Sequence, residues 1–135
     1  MSTLAPVEDL ELAIARTAPI LIVDDQAIMA ELMTAILRKL GFNEVDTALD
    51  GLKAISMMMS KSYSLVISDL IMAPMTGLEL LSAVRADDGF GRTPFVLVTA
   101  SRDFHHAVAA KKAGVNSYLL KPFSPSQLIA AIQTV

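Results

Sequence analysis

Short apolar runs alternate along the chain with longer stretches in which apolar residues recur every three or four positions. Four of these runs lie at 20–23, 64–69, 94–98 and 117–120, and a fifth strand-like segment, at 44–47, is only partly apolar. They lack the strict apolar–polar alternation of a sheet with one face in solvent. Continuous apolar strands are typical of parallel sheets that are covered on both faces. We therefore predict five buried parallel strands.

The stretches between the runs predict five helices. The first spans 27–40, the second spans 49–60, and the other three begin near Thr76, Asp103 and Ser124. The first helix carries a set of apolar residues that we expect to face the core: Ile28, Leu32, Met33, Ile36 and Leu40. In the third helix we expect the core side to be formed by Leu78, Leu81 and Val84. Their spacing is that of an amphipathic helix.

Local signals mark the helix ends. Thr76 with Glu79, and Ser124 with Gln127, have the spacing of capping boxes, and Pro125 suits a first helical position. Gly41 and Gly114 supply residues that tolerate the left-handed conformation after the first and fourth helices. These signals support the helix assignments independently of hydrophobic periodicity.

Strict alternation of strands and helices predicts an α/β fold of the (βα)5 type. Right-handed crossovers then give one doubly wound, five-stranded parallel sheet with helices on both faces. We assign 19–135 to this domain and 1–18 to an N-terminal extension. The extension is expected to be partly helical, because Pro6 could begin a turn with Val7, Leu10 and Ile14 on one face.

Composition narrows the function. A chain of 135 residues with 53% hydrophobic content can bury a core as one domain. There is no cysteine, which excludes disulfides and thiolate chemistry. The net charge of −3, without a cluster of basic residues, argues against direct binding of nucleic acid or an anionic membrane. No apolar run approaches the length of a membrane span, so we expect a soluble cytoplasmic protein.

Polar residues follow four of the predicted strands at their carboxyl ends. These residues are Asp24, Asp25, Asp69, Thr99 and Lys121. Carboxyl ends of parallel strands meet at one edge of the sheet, where sites of such folds lie. Three carboxylates suit a hard divalent cation such as Mg²⁺, which would offset the repulsion between adjacent anions. A lysine and a hydroxyl beside the metal are what a transferring phosphoryl group needs.

The chain from 19 to 135 resembles the receiver domain of two-component response regulators, the CheY-like family. The resemblance is carried by the segments LIVDD, VISDLIMAPMTGLELL, VLVTAS and AGVNSYLLKPF. It implies a flavodoxin-like sheet with strand order 2-1-3-4-5. It also implies a phosphoacceptor module that uses Mg²⁺ and catalyses only its own phosphorylation and dephosphorylation.

The resemblance assigns the metal and phosphoryl residues. Asp69 would be the phosphoacceptor, Asp25 a direct Mg²⁺ ligand, and Asp24 an acidic partner acting partly through water. Ile71 would bind the metal through its backbone carbonyl, and Lys121 would pair with a phosphoryl oxygen.

The switch residues are implied in the same way. Thr99 would turn its hydroxyl to the phosphoryl group, Ala100 would leave room for it, and Tyr118 would change rotamer. The bond between Lys121 and Pro122 would be a cis peptide.

The chain departs from the family pattern in the loop after Asp69. The family usually has proline four residues after the phosphoacceptor, whereas here Ala73 holds that place and Pro74 follows. Ile71 and Ser101 occupy the two positions that tune attack of water on the acyl phosphate. Because an aliphatic Ile71 cannot orient a water molecule, we predict a long-lived phosphoryl group.

Two other functions fit the fold class less well. An aspartate-nucleophile phosphatase would carry a D-x-D loop after the first strand, where this chain has adjacent acids. A flavin or nucleotide binder would have a Gly/Ser/Thr-rich phosphate loop there. The adjacent His105 and His106 could suggest metal or phosphohistidine chemistry, but neighbouring helix residues do not face each other, so we interpret both as surface residues.

The resemblance implies a sensor histidine kinase or a histidine phosphotransferase as the phosphoryl donor. Because the chain ends soon after the fifth helix, it is either a fragment of a longer regulator or, as we expect, a single-domain regulator that acts by contact with a target that the sequence does not identify. A homodimer through the helix 4–strand 5–helix 5 face, or through the N-terminal extension, is a further expectation.

Overall fold

The computed structural model describes residues 14–135, in which five strands and five helices alternate. The strands are β1 (Ile20–Val23), β2 (Val45–Ala48), β3 (Leu65–Asp69), β4 (Phe95–Thr99) and β5 (Ser117–Leu120). The helices are α1 (Ala27–Lys39), α2 (Gly51–Ser60), α3 (Gly77–Ala86), α4 (Phe104–Lys112) and α5 (Pro125–Gln133). Each lies within two residues of the predicted bounds.

The strands form one parallel sheet in the order β2-β1-β3-β4-β5. This is the predicted flavodoxin-like order. The order reverses direction between β1 and β3, which creates the crevice at the carboxyl ends where such sheets bind ligands. Asp24 directly follows β1 and Asp69 is the last residue of β3, so the topology places the two residues side by side.

The sheet separates two apolar cores, which explains the continuous apolar strands. Ile20 and Ile22 of β1 point to the core under α1 and α5. Leu21 and Val23, their neighbours in the same strand, point to the core under α2, α3 and α4. Because both sets are at most 2% exposed, neither face of β1 has a place for polar residues.

The predicted capping boxes are present. The Thr76 hydroxyl accepts from the Glu79 amide at 3.1 Å, and the Glu79 carboxylate accepts from the Thr76 amide at 2.9 Å. Ser124 and Gln127 form the same reciprocal pair at the start of α5. These bonds satisfy amides that a helix leaves unpaired at its first turn.

The predicted core side of α1 is partly wrong. Met33 and Leu40 are buried, but Ile28 is 68% exposed and Leu32 is 53% exposed. The inner side instead carries Ala30, Met33 and Leu37. Ile28, Leu32 and Ile36 recur every four residues and lie along the flank of the helix. The prediction for α3 agrees better with the structure. Leu81 and Val84 are buried together with Leu80, and Leu78 is half-buried.

Residues 14–18 fasten the start of the described chain to the edge of the sheet opposite the acidic residues. Ile14 is buried in the core under α1 and α5. Arg16 donates to the Leu40 carbonyl at 2.8 Å and lies over the Phe42 ring. Most of the predicted N-terminal helix lies outside the described residues. Within residues 14–135, no helix combines the length and the apolar character that a membrane crossing requires.

Candidate phosphoacceptor site

Three carboxylates meet at the carboxyl edge of the sheet. One oxygen each from Asp24, Asp25 and Asp69 can be chosen so that all three lie within 4.8 Å of one another. Asp24 is buried, Asp69 is half-buried and Asp25 is exposed, so the group is open to solvent on one side. This donor set, three hard oxygen ligands with an open side, fits Mg²⁺, which keeps several waters when bound to protein.

Backbone amides orient two of these carboxylates. The Gln26 amide donates to Asp24 Oδ1 at 2.9 Å, at the residue just before α1. The Ala73 amide donates to Asp25 Oδ2 at 3.1 Å and so ties the loop after β3 to the end of β1. Ala73 thus positions an acidic residue, although the sequence marked it only as a departure from the family pattern.

Lys121 bonds directly to Asp69. Its ammonium Nζ lies 3.0 Å from Asp69 Oδ1, and both side chains are largely shielded from solvent. Burial raises the pKa of Asp69 above its ordinary value of 3.8, with smaller upward contributions from Asp24 and Asp25, while Lys121 opposes the rise. The ionised form is therefore destabilised, and a cation bound among the three acids would relieve that cost.

Gly77 allows α3 to begin directly beside Asp69. A β-carbon at Gly77 would lie 2.2 Å from the Asp69 carbonyl oxygen and 2.9 Å from the Leu70 Cα. The Gly77 amide donates to the Leu70 carbonyl at 2.9 Å. This role was not predicted from the sequence. The only local signal is a glycine where a helix former would otherwise be expected just after an N-cap.

Thr99 ends β4 with its hydroxyl turned toward the following loop. It is fully buried, and its Oγ1 accepts from the Ser101 amide at 3.0 Å. Ala100 follows as an exposed residue that lines a cavity together with Asp69 and Lys121. Small side chains at this point leave space beside Asp69.

Tyr118 lies in the middle of β5, half-buried. Its hydroxyl oxygen is shielded from solvent and has no hydrogen-bond partner within residues 14–135. Burial raises the pKa of this hydroxyl, and the negative charge of Asp103 adds to the rise. A buried hydroxyl without a partner costs free energy, so a rearrangement that supplied one would be favoured.

The loops around the acids contain two cis peptide bonds. One is the predicted bond between Lys121 and Pro122, and the other joins Ala73 to Pro74. Ile71 lies two residues after Asp69 with 59% of its surface exposed. Its side chain therefore lies largely in solvent.

A largely apolar cavity of about 400 Å³ opens beside the acids, between α1 and the segment after β5. Its wall includes Asp24, Asp69 and Lys121 along with Leu32, Met33 and Phe123. The cavity therefore combines charged groups near the acidic site with a largely apolar lining.

The two histidines of α4 differ from each other. The His105 side chain is 92% exposed, as expected for a surface residue. His106 is half-buried, and its Nδ1 lies 2.9 Å from Ser101 Oγ. The interpretation of both residues as solvated surface therefore fails for His106.

Sequence comparison places this arrangement among known proteins. The family model described as "Response regulator receiver domain" matches residues 20–133. Chemotaxis protein CheY-3 of Vibrio cholerae is 36% identical over 119 residues, which are 88% of this chain and 92% of that protein. Chemotaxis protein CheY of Pseudomonas aeruginosa is 39% identical over 116 residues, covering 86% and 94% of the two chains.

Solved structures agree. The crystal structure of Vibrio cholerae CheY4 superposes with a TM-score of 0.81 at 31% identity, covering 88% of this chain and 99% of that one. The receiver domain of a Pseudomonas aeruginosa sensor histidine kinase, with a magnesium ion coordinated in its active-site cleft, gives a TM-score of 0.78 at 27% identity. It covers 87% of this chain and 95% of that one. The chain belongs to the response regulator receiver domain family, whose CheY-type members accept a phosphoryl group in two-component signalling.

Proposed function

We propose that Asp69 is the residue that accepts the phosphoryl group. The observation that carries this proposal is the grouping of three carboxylates beside Lys121, whose ammonium lies 3.0 Å from Asp69 Oδ1. Asp69 is central in that group, since it alone among the three bonds to the lysine. The other oxygen, Oδ2, is the candidate nucleophile.

Asp24, Asp25 and Asp69 would hold Mg²⁺, with the backbone carbonyl of Ile71 as a further ligand. The neighbouring carboxylates within 4.8 Å support this assignment. When bound, the cation supplies positive charge that neutralises the oxygens of the transferring group. Asp25 has its orientation set by the Ala73 amide.

In the transfer, an Asp69 carboxylate oxygen attacks the phosphorus of a phosphohistidine. The phosphorus–oxygen bond forms and the phosphorus–nitrogen bond breaks. The donor imidazole, protonated from solvent on its other ring nitrogen, leaves as neutral imidazole. Lys121 would move from Asp69 to a phosphoryl oxygen, and the Thr99 hydroxyl would turn toward the same group. The protein would catalyse only this step and its own dephosphorylation.

Tyr118 would report the change at the surface. Its shielded hydroxyl has no partner within the described chain, and Asp103 of the loop after β4 is near enough to influence it. A shift of that loop toward the phosphoryl group would therefore change the environment of Tyr118. This gives added charge a route to a surface change.

The donor would be a sensor histidine kinase or a histidine phosphotransferase that docks over the apolar cavity. Exposed Ile28 and Leu32 on α1 extend the apolar surface beside it. Homodimerisation through the α4–β5–α5 face also stays a prediction. It is supported by Phe104, which is 73% exposed, and Leu120, which is 36% exposed.

Incubation with a small phosphodonor tests the proposal. With Mg²⁺, the intact protein is expected to gain the mass of one phosphoryl group that is lost on mild alkaline treatment. Chelation of the metal and the substitution Asp69→Asn should each abolish the gain. Asp88→Asn, an exposed acid in the turn after α3, is the matched control and should be labelled like the wild type. Labelling that survives in Asp69→Asn would contradict the proposal.

A further inference from the structure

A chain of hydrogen bonds runs from the end of β4 into the first turn of α4. Thr99 Oγ1 accepts from the Ser101 amide at 3.0 Å. Ser101 Oγ accepts from the Asp103 amide at 3.2 Å and lies 2.9 Å from His106 Nδ1. The loop that carries Thr99 is therefore fastened to α4 through the Ser101 side chain.

The bond between Ser101 and His106 can run in either direction, depending on which ring nitrogen of His106 carries the proton. The Asp103 amide can only donate, so it occupies one lone pair of Ser101 Oγ. The hydroxyl proton and the second lone pair of Ser101 both remain available, so Ser101 donates to His106 Nδ1 when the ring proton is on Nε2 and accepts from it when the proton is on Nδ1. Both groups are half-buried, so solvent competes less for this bond than it does at exposed His105.

We propose that His106 is a positioning residue that holds Ser101 and thereby favours the loop arrangement in which the Thr99 hydroxyl accepts from the Ser101 amide. This inference rests on the proposed function, in which the Thr99 hydroxyl turns to the phosphoryl group. That turn removes the acceptor from the Ser101 amide. In this proposal, the movement of Ser101 that recovers a partner for its amide also breaks its bond to His106.

The bond consequently opposes the phosphorylated arrangement. A ligand shifts a two-state equilibrium according to its different affinities for the two states. If His106 stabilises the unphosphorylated loop, removing its bond must strengthen binding of a phosphoryl mimic. The net contribution of one hydrogen bond corresponds to about a threefold to tenfold change in affinity.

The probe is beryllofluoride, titrated calorimetrically into the full chain at a fixed, saturating Mg²⁺ concentration. In His106→Leu the dissociation constant is expected to fall by about threefold to tenfold relative to the wild type. In His106→Asn it should return to the wild-type value, because the Asn side-chain amide can accept or donate near the place of Nδ1. His105→Leu, the same change at the neighbouring exposed position, is the matched control and should leave the constant unchanged.

A double-mutant cycle isolates the shared bond. Ser101→Ala removes Oγ from both His106 and the Asp103 amide, so its own effect mixes two contacts. Adding His106→Leu to Ser101→Ala should change the dissociation constant no further. Ser101→Ala also tests the same bond from the other side should His106→Leu fail to fold.

An unchanged or weaker affinity in His106→Leu would overturn the inference. So would additive effects in the cycle, or failure of His106→Asn to restore the wild-type constant. These outcomes leave the proposed function intact. Absence of beryllofluoride binding to the wild type, in contrast, would count against Asp69 as the phosphoacceptor.

Discussion

At Asp69, burial and the positive charge of Lys121 shift the pKa of a single carboxylate in opposite directions. Burial, Asp24 and Asp25 favour its protonated form, whereas Lys121 favours its ionised form. The balance raises its pKa above 3.8. A cation that binds among the three carboxylates would stabilise the ionised form of Asp69. The metal-free site therefore favours cation binding.

Replacing Asp69 by Asn should stabilise the metal-free protein at neutral pH. Because the folded-state pKa is raised, the folded protein binds the Asp69 proton more tightly than the unfolded chain does. That contribution to stability is fully present below pH 3.8 and is lost as the pH rises through the raised value. Urea unfolding in chelator across this range should show the wild type losing stability relative to Asp69→Asn. A gap that is constant with pH would contradict the assignment.

Ile71 should lengthen the life of the phosphoryl group. Its exposed side chain stands two residues after Asp69 and has no atom that could orient a water molecule. Ile71→Asn should speed dephosphorylation by about threefold to tenfold, the contribution of a single hydrogen bond to the attacking water. Loss of label after removal of the phosphodonor measures the rate. Ile71→Val, which stays aliphatic, should match the wild type, and equal lifetimes for Asn and Ile would disprove the role.

At the scale of elements, Arg85 joins α3 to the two loops that precede β4 and β5, at the edge of the sheet opposite the acidic residues. Its guanidinium donates to the carbonyls of Gly91, Thr93 and Gly114, at 3.0, 2.6 and 3.0 Å, and to Asn116 Oδ1 at 2.9 Å. These bonds connect the segment before β4 with the segment before β5. The two strands that carry Thr99 and Tyr118 therefore share one anchor.

Arg85→Ala should lower the free energy of unfolding by about 2–4 kcal/mol, because it leaves several carbonyl groups without their donors. Guanidinium unfolding followed by circular dichroism measures the loss. Arg92→Ala, at an exposed position in the same region, is the control and should change stability by no more than about 0.5 kcal/mol. Equal effects of the two substitutions would show that the Arg85 bonds contribute nothing.

How far the sequence predicts an element depends on how local its determinants are. The capping pairs Thr76–Glu79 and Ser124–Gln127 were predicted because their partners lie three residues apart and need no tertiary information. The prediction of which side of α1 faces the core was partly wrong, because Ile28 and Leu32 fit helical periodicity although both are exposed. Apolar spacing alone does not show which stripe another element covers.

The same distinction holds at the site. The meeting of Asp24, Asp25, Asp69 and Lys121 could be anticipated from strand ends and parallel topology. The roles of Gly77 and His106 could not be predicted, because each depends on two segments coming close in a way that the order of elements does not define. A β-carbon at Gly77 would lie 2.2 Å from the Asp69 carbonyl oxygen, and His106 Nδ1 lies 2.9 Å from Ser101 Oγ.

At the scale of the whole molecule, a parallel sheet with two buried faces leaves its carboxyl edge as the place where polar groups collect. Asp24 and Asp69 lie there because β1 and β3 are neighbours in the order β2-β1-β3-β4-β5. The folded sheet holds the three carboxylates close together despite their mutual repulsion. Binding of a cation at this edge should therefore stabilise the entire fold.

Saturating Mg²⁺ should raise the melting temperature of the wild type. A ligand that binds only the folded state at about 100 times its dissociation constant adds about 2.7 kcal/mol. Asp25→Asn should show a much smaller rise, because it removes one of the three carboxylates. Asp88→Asn should keep the full effect. A rise of the same size in Asp25→Asn would place the cation elsewhere.

The central claim is that the phosphoryl group is carried by the Asp69 carboxylate. Borohydride reduces an acyl phosphate to an alcohol, so treatment of the phosphorylated protein followed by peptide mass spectrometry identifies the modified residue. We expect homoserine at position 69, and only when Mg²⁺ and the phosphodonor are both present. Homoserine at position 24 or 25, or no reduced residue in protein that has demonstrably gained phosphate, would contradict it.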